Sequence, residues 1–181
     1  MSRITARAAA MQMIYEKLSG GHGGEETLQM VYDELRQDGV PGVDSVSKNE
    51  PGQEDRAYIT EALEGVIRNR ELLDGKIGAA ARGWTVERMP MVDLTIMRLA
   101  VWEMLYVDEV PGNVSIAEAL ELTERYSDPD DKKFVNGVLG TILRGIQQEK
   151  GETVPAGDGE QTETDGDADG TAAAQATDGD A

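Results

Sequence analysis

The stretch MVDLTIMRLAVWEMLY, residues 91–106, is apolar on nearly every side. A helix with apolar side chains all round must be enclosed by other helices, so this segment predicts the central rod of a bundle. Its neighbours carry one-sided stripes instead. Ile4, Ala8, Met11, Ile14, Tyr15 and Leu18 line one face of an opening helix, which the breaker GGHGG ends. A second helix starts near EETLQMVYDELRQD, with Glu25 and Glu26 where the helix dipole favours acids and Leu28, Val31, Tyr32 and Leu35 inward. GVPGVDSVSKNEPGQ reads as a loop. EDRAYITEALEGVIRNRELLDGKI then puts Ile59, Leu63, Val66, Ile67 and Leu73 on one side. After the central rod, VPGNV turns the chain, and Ser115 with Glu118 makes a capping box opening SIAEALELTERY. SDPDD separates that helix from KKFVNGVLGTILRGI, whose Val135, Val138, Leu139, Ile142, Leu143 and Ile146 form a buried stripe. No period-two alternation longer than four residues interrupts the pattern. The expectation is an all-α domain over residues 1–150.

The remainder has a different composition. From 151 to 181 the chain holds nine Asp or Glu and no Lys or Arg, half of the net charge of −18. With almost no large apolar residue after Val154, that tail cannot offset the entropy of ordering and is expected to be disordered. It reads as a solubilising extension or as an intramolecular mimic of nucleic acid competing for a basic face. Cysteine is absent, which excludes disulfides and thiolate metal sites. No apolar run reaches the ~18 residues of a membrane span. The Arg-bearing opening has some features of a transit peptide. Its apolar residues run in register to Leu18, which favours a structural helix and a cytoplasmic protein.

Catalysis would need convergent reactive groups. The one histidine, His22, sits among four glycines, a poor place for a base or ligand. Helical di-metal sites want Glu-x-x-His pairs, which this chain does not supply. DPDD could hold a divalent cation but reads more simply as a turn and N-cap. GGHGG lacks the lysine and the strand-to-helix setting of a phosphate loop. No enzyme, cofactor or metal is expected.

Two places are basic against the trend. Arg3 and Arg7 stand four apart at the start of the first helix, where they repel one another and oppose the dipole. An external anion is the simplest compensation, and a frayed, solvated terminus is the alternative. The last helix begins with Lys132 and Lys133, also on the disfavoured side. Lys133, Asn136, Gly140 and Arg144 follow at three- and four-residue steps, so cations bracket an amide and a patch without side chains. Gly137 and Gly140 each cost a helix interior about 1 kcal/mol relative to alanine. For Gly137, nearest the apolar stripe, close packing of a neighbouring helix is the favoured reason. If the two helix starts share a surface, they make a basic patch suited to phosphate, with Tyr15 and Phe134 as stacking planes for unpaired bases.

The chain resembles the transcription antitermination factor NusB family from residue 2 to about 146. The resemblance rests on VPGNVSIAEALELTERYSDPDDKKFVNGVL, above all KFVNGVL after a short acidic turn, and on GVIRNRELLDGKI, VDLTIMRLAVWEMLYVDEVP and ARAAAMQMIY. It implies a bundle of two packed helical subdomains. It also implies binding to boxA, a single-stranded RNA element of ribosomal RNA leaders, together with the small-subunit ribosomal protein that acts as NusE, within a transcription elongation complex. By position, Arg3, Arg7 and Tyr15 match the RNA-facing first helix, and Asp130, Lys132, Lys133, Phe134 and Asn136 match the RNA-proximal segment of the last. Glu87 and Asp93 match acidic positions that meet the ribosomal protein. Ile4 and Thr5 stand where the family is often basic, which implies weak RNA affinity without the partner, and Ala117 replaces the usual Asn of INEA. A homodimer covering the RNA surface stays open. The other readings are a helical protein adaptor with little RNA binding and a fragment of a ribosomal RNA methyltransferase with a NusB-like front domain.

Overall fold

The computed structural model describes residues 3–37 and 52–151. The acidic tail and most of the loop expected after the second helix lie outside those residues. Among the described residues seven helices follow in order: α1 Arg3–Leu18, α2 Glu25–Gln37, α3 Gln53–Arg68, α4 Arg70–Ala80, α5 Met91–Tyr106, α6 Gly112–Tyr126 and α7 Asp131–Glu149. A single 3₁₀ turn, Val86–Arg88, lies between α4 and α5, and the described residues contain no strand.

α5 is the enclosed rod its composition requires. Every residue from Asp93 to Met104 is buried, and α1, α3, α4, α6 and α7 all pack around it. α1 packs chiefly on α3, α2 and α5, and α7 on α6, α5 and α4. The bundle therefore has two helical subdomains, α1–α3 and α4–α7, joined through α5. Close approach of α3 to α5 depends on Gly65, because a methyl group there would collide with the Trp102 indole.

Two boundaries differ from the sequence reading, each for a local reason. The stripe over 54–77 is divided at Asn69, whose Nδ2 donates to the Gly65 carbonyl at 2.8 Å while its backbone N–H donates to the same oxygen at 3.1 Å. Asn69 thus closes α3, and α4 starts afresh. The expected capping box at Ser115 does not form. α6 begins three residues earlier, at Gly112 after Pro111, so Ser115 is inside the helix and buried. Glu118 is drawn instead to an ion pair with α1, described below.

The charged residues of α5 organise the interior. Arg98 is buried and donates from Nε and a terminal nitrogen to the two Asp74 carboxylate oxygens, at 2.6 and 2.8 Å. Glu103 is buried as well, and one of its oxygens accepts from Arg7 Nε at 2.7 Å and from the Tyr58 hydroxyl at 2.5 Å. Arg7 also lies 3.3 Å from Glu118. One cluster of charge therefore ties α1, α3, α5 and α6 together. Burial, and then the neighbouring Glu103 carboxylate, push the Tyr58 hydroxyl pKa far above its ordinary value.

Candidate nucleic-acid interface

The turn before α7 is built from its own acids. The Asp130 N–H donates to Asp128 Oδ1 at 3.0 Å, and Asp130, exposed, stands at the helix cap. Asp131 in the first turn suits the dipole, and Lys132 is held by Glu124 of α6 at 2.6 Å. Lys133 has no such compensation. It is exposed, and among the described residues it has no carboxylate partner. Asn136 is exposed nearly one turn further on.

Next to Lys133, Phe134 is half-buried and packs against Trp84, with ring centroids 5.7 Å apart and planes tilted by 50°. Trp84 stays 49% exposed, so part of a large aromatic ring lies open against the residue that follows the cation. A left-handed turn at Gly83, φ +78°, precedes this residue, a backbone conformation that glycine adopts without strain. The following 3₁₀ turn carries Glu87, also exposed. The aromatic contact therefore joins the segment bearing Glu87 to the segment bearing Lys133. Trp84 did not emerge from the sequence reading, although a tryptophan directly after a glycine, outside every apolar stripe, was the available signal. Arg125 was also missed: at the end of α6 its guanidinium lies 5.4 Å from the centroid of the Tyr126 ring.

Arg7 is placed otherwise than expected. Its side chain is 3% exposed, and its charge is met inside the protein by Glu103 and Glu118. The missing compensation for a cation near the start of α1 is thus internal, not an outside anion. Arg7 and Lys132 reach the same helix, through Glu118 and Glu124, six residues or about 9 Å apart along α6. The starts of α1 and α7 both border α6, but Arg7 adds no exposed cation there. Arg3 begins α1, and its side chain lies outside the described residues. Tyr15 is exposed on α1, which packs chiefly on α2, α3 and α5 rather than on α7.

Asp93 also departs from expectation. It is fully buried in the first turn of α5, and among the described residues no group lies in full hydrogen-bond geometry with either carboxylate oxygen. Its position under the turn that starts α7 hides it from a docking protein. Burial raises its pKa; the Ser127 hydroxyl opposes that shift, and Asp131 and Asp128 add to it. A carboxyl raised in the folded state stabilises the fold most below the ordinary Asp value of about 3.9, and that contribution is lost as pH rises through the folded pKa. Asp93→Asn should therefore melt above wild type at neutral pH, with the gap closing as pH falls toward 4. Parallel pH curves of the two melting temperatures would contradict this.

The glycines of α7 answer a further question. Among the described residues a methyl group at Gly137 would meet nothing within 4 Å, so none of the seven helices requires that glycine, contrary to the packing reason favoured from sequence.

The NusB family model matches residues 4–144 of the 181. The chain belongs to the NusB family. It is 34% identical over 148 residues to the transcription antitermination protein NusB of Symbiobacterium thermophilum, an alignment covering 81% of this chain and 92% of that protein. Over a shorter stretch of 103 residues it is 42% identical to the protein of the same name from Heliobacterium modesticaldum, covering 57% of this chain and half of the other. Among solved structures, a chain of a crystal structure of antitermination factors NusB and NusE in complex with dsRNA superposes with a TM-score of 0.61. That chain is 24% identical, with 80% of this chain and 99% of the other covered, so it attests the all-helical NusB fold. Among the described residues, no helix is long and apolar enough to cross a membrane.

Proposed function

We propose that this NusB-family chain is a transcription antitermination factor that binds boxA-type single-stranded leader RNA together with the small-subunit ribosomal protein acting as NusE. It works as a binding factor and catalyses no reaction; its place of action is the cytoplasm, in the transcription elongation complex. The observation that carries this reading is Lys133, an exposed cation without a carboxylate partner among the described residues, near Asn136 and the half-exposed Trp84 packed on Phe134. Phosphate contacts supply affinity and stacked aromatics hold unpaired bases, and this segment offers both. Asp130 and Lys132 complete it, the latter shared with Glu124. Arg3 and Tyr15 extend the surface along α1, while Arg7 holds α1 in place from inside. Glu87, exposed on the turn after Trp84, suits a basic ribosomal protein. RNA and protein partner would thus meet at adjoining segments, consistent with RNA affinity that depends on the partner.

A helical adaptor with little RNA contact of its own is the second reading, favoured by the internal pairing of Arg7, which leaves fewer exposed cations on α1. The two are separated by titrating boxA-type RNA into the chain with and without its ribosomal partner over a range of salt concentrations. RNA binding by the pair that weakens steadily as salt rises, and exceeds that of the ribosomal protein alone, supports the first. A protein complex to which this chain adds no RNA affinity at any salt leaves the adaptor. Sedimentation of the free chain tests whether a homodimer covers the same surface.

A further inference from the structure

We infer that the RNA strand does not stop at the start of α7 but continues along the outer face of this helix to Arg144, with Thr141 orienting that arginine. This rests on the RNA-binding reading above and extends its site. Lys133 and Arg144 are eleven residues apart, three helical turns plus a small angle, so both project from one side of α7 about 16 Å apart. Both are exposed, and among the described residues neither has a carboxylate partner. From 132 to 148 the chain contains no acid at all, in a protein of net charge −18.

The surface between them is polar and low. Asn136 and Thr141 are exposed, and Gly137 bears no side chain on a surface with open space above it. Arg144 is not splayed into solvent. A terminal nitrogen donates to Thr141 Oγ1 at 3.1 Å, and that hydroxyl donates to the Gly137 carbonyl at 2.9 Å. The other terminal nitrogen lies 3.6 Å from where a Gly140 Cβ would be, so the guanidinium folds back along the helix toward Lys133. The two cations thus line one track with nothing tall between them. The occupant that fits by charge is a ribose-phosphate backbone, which carries a negative charge at every step and needs donors spaced along its length.

The test uses the full chain with its ribosomal partner and a boxA-type RNA oligonucleotide extended by several nucleotides at each end, titrated by fluorescence anisotropy over a salt series. Arg144→Gln should weaken binding about fivefold and reduce the salt slope by about 0.7, the loss of one phosphate contact to a single strand. Thr141→Val should give a smaller loss, and Thr141→Ser, which keeps the hydroxyl, should restore wild-type affinity. The thermal midpoint of Arg144→Gln should match wild type, since the residue is exposed and holds no carboxylate. If Arg144→Gln keeps the wild-type slope while Lys133→Gln lowers it, the track along α7 is wrong and the RNA-binding reading stands. If the wild-type pair binds no more RNA than the ribosomal protein alone, both fall.

Discussion

Glu103→Ala should destabilise the domain by about 3–5 kcal/mol, the usual consequence of removing one partner from a buried ion pair. In a domain of this size that corresponds to a fall in melting temperature of about 10 °C or more. The change leaves Arg7, 3% exposed, with only Glu118 at 3.3 Å, and deprives the Tyr58 hydroxyl of its acceptor. Its size follows from the stranded cation rather than from the lost attraction. A second variant tests this directly: Arg7→Met combined with Glu103→Ala should recover part of the stability, because it removes the stranded buried cation and leaves only Glu118, 20% exposed, without its ion-pair partner. A single variant within 1 kcal/mol of wild type would show that the cluster is not what holds α1 to α5 and α6.

Lys133→Glu acts on binding instead. It removes one phosphate contact and sets a carboxylate against the RNA backbone, next to the acids of the preceding turn. RNA affinity of the complex with the ribosomal protein should fall about tenfold or more, and the salt slope should flatten by about 0.7 to 1. Stability should barely change, because the side chain is exposed and has no partner to lose. An unaltered slope would remove Lys133 from the interface. The two substitutions make a contrasting pair: one empties a buried position, the other reverses charge on an exposed one.

Particular residues explain how far the sequence could be read. The position of α5 was legible because a helix apolar all round has only one place to go. The same segment held a further signal. Asp93, Arg98 and Glu103 are charges inside an apolar helix, and a buried charge needs a partner. Arg98 finds Asp74 on the neighbouring α4, and Glu103 finds Arg7, 96 residues away in sequence. Local spacing and dipole arguments see only neighbours along the chain, so they leave Arg7 to an outside anion or to solvent. The break at Asn69 was hidden for a related reason: the apolar stripe continues through it, and the helix ends at the Asn69 backbone, φ −100° and ψ 13°, with a side-chain bond to the Gly65 carbonyl beside it.

The candidate site divides in the same way. Lys133, Phe134 and Asn136 were recognisable because they belong to one helical stretch whose faces follow from the period. Trp84 and Phe134 are brought together because α4, which leads into the 84–88 segment, packs against α7, a contact that no stretch of sequence displays. Asp93 was assigned to a protein surface by its position in a resemblance, and its burial depends on how the corner between α6 and α7 settles over the first turn of α5.

Ultraviolet crosslinking of boxA-type RNA to the complex of this chain with its ribosomal partner, followed by mass spectrometry of the crosslinked peptides, locates the strand without any substitution. Crosslinks at Trp84, Phe134 and the outer face of α7 are expected. Crosslinks confined to α2 and α3, with none on the 84–88 segment or α7, would contradict the RNA surface proposed for this protein.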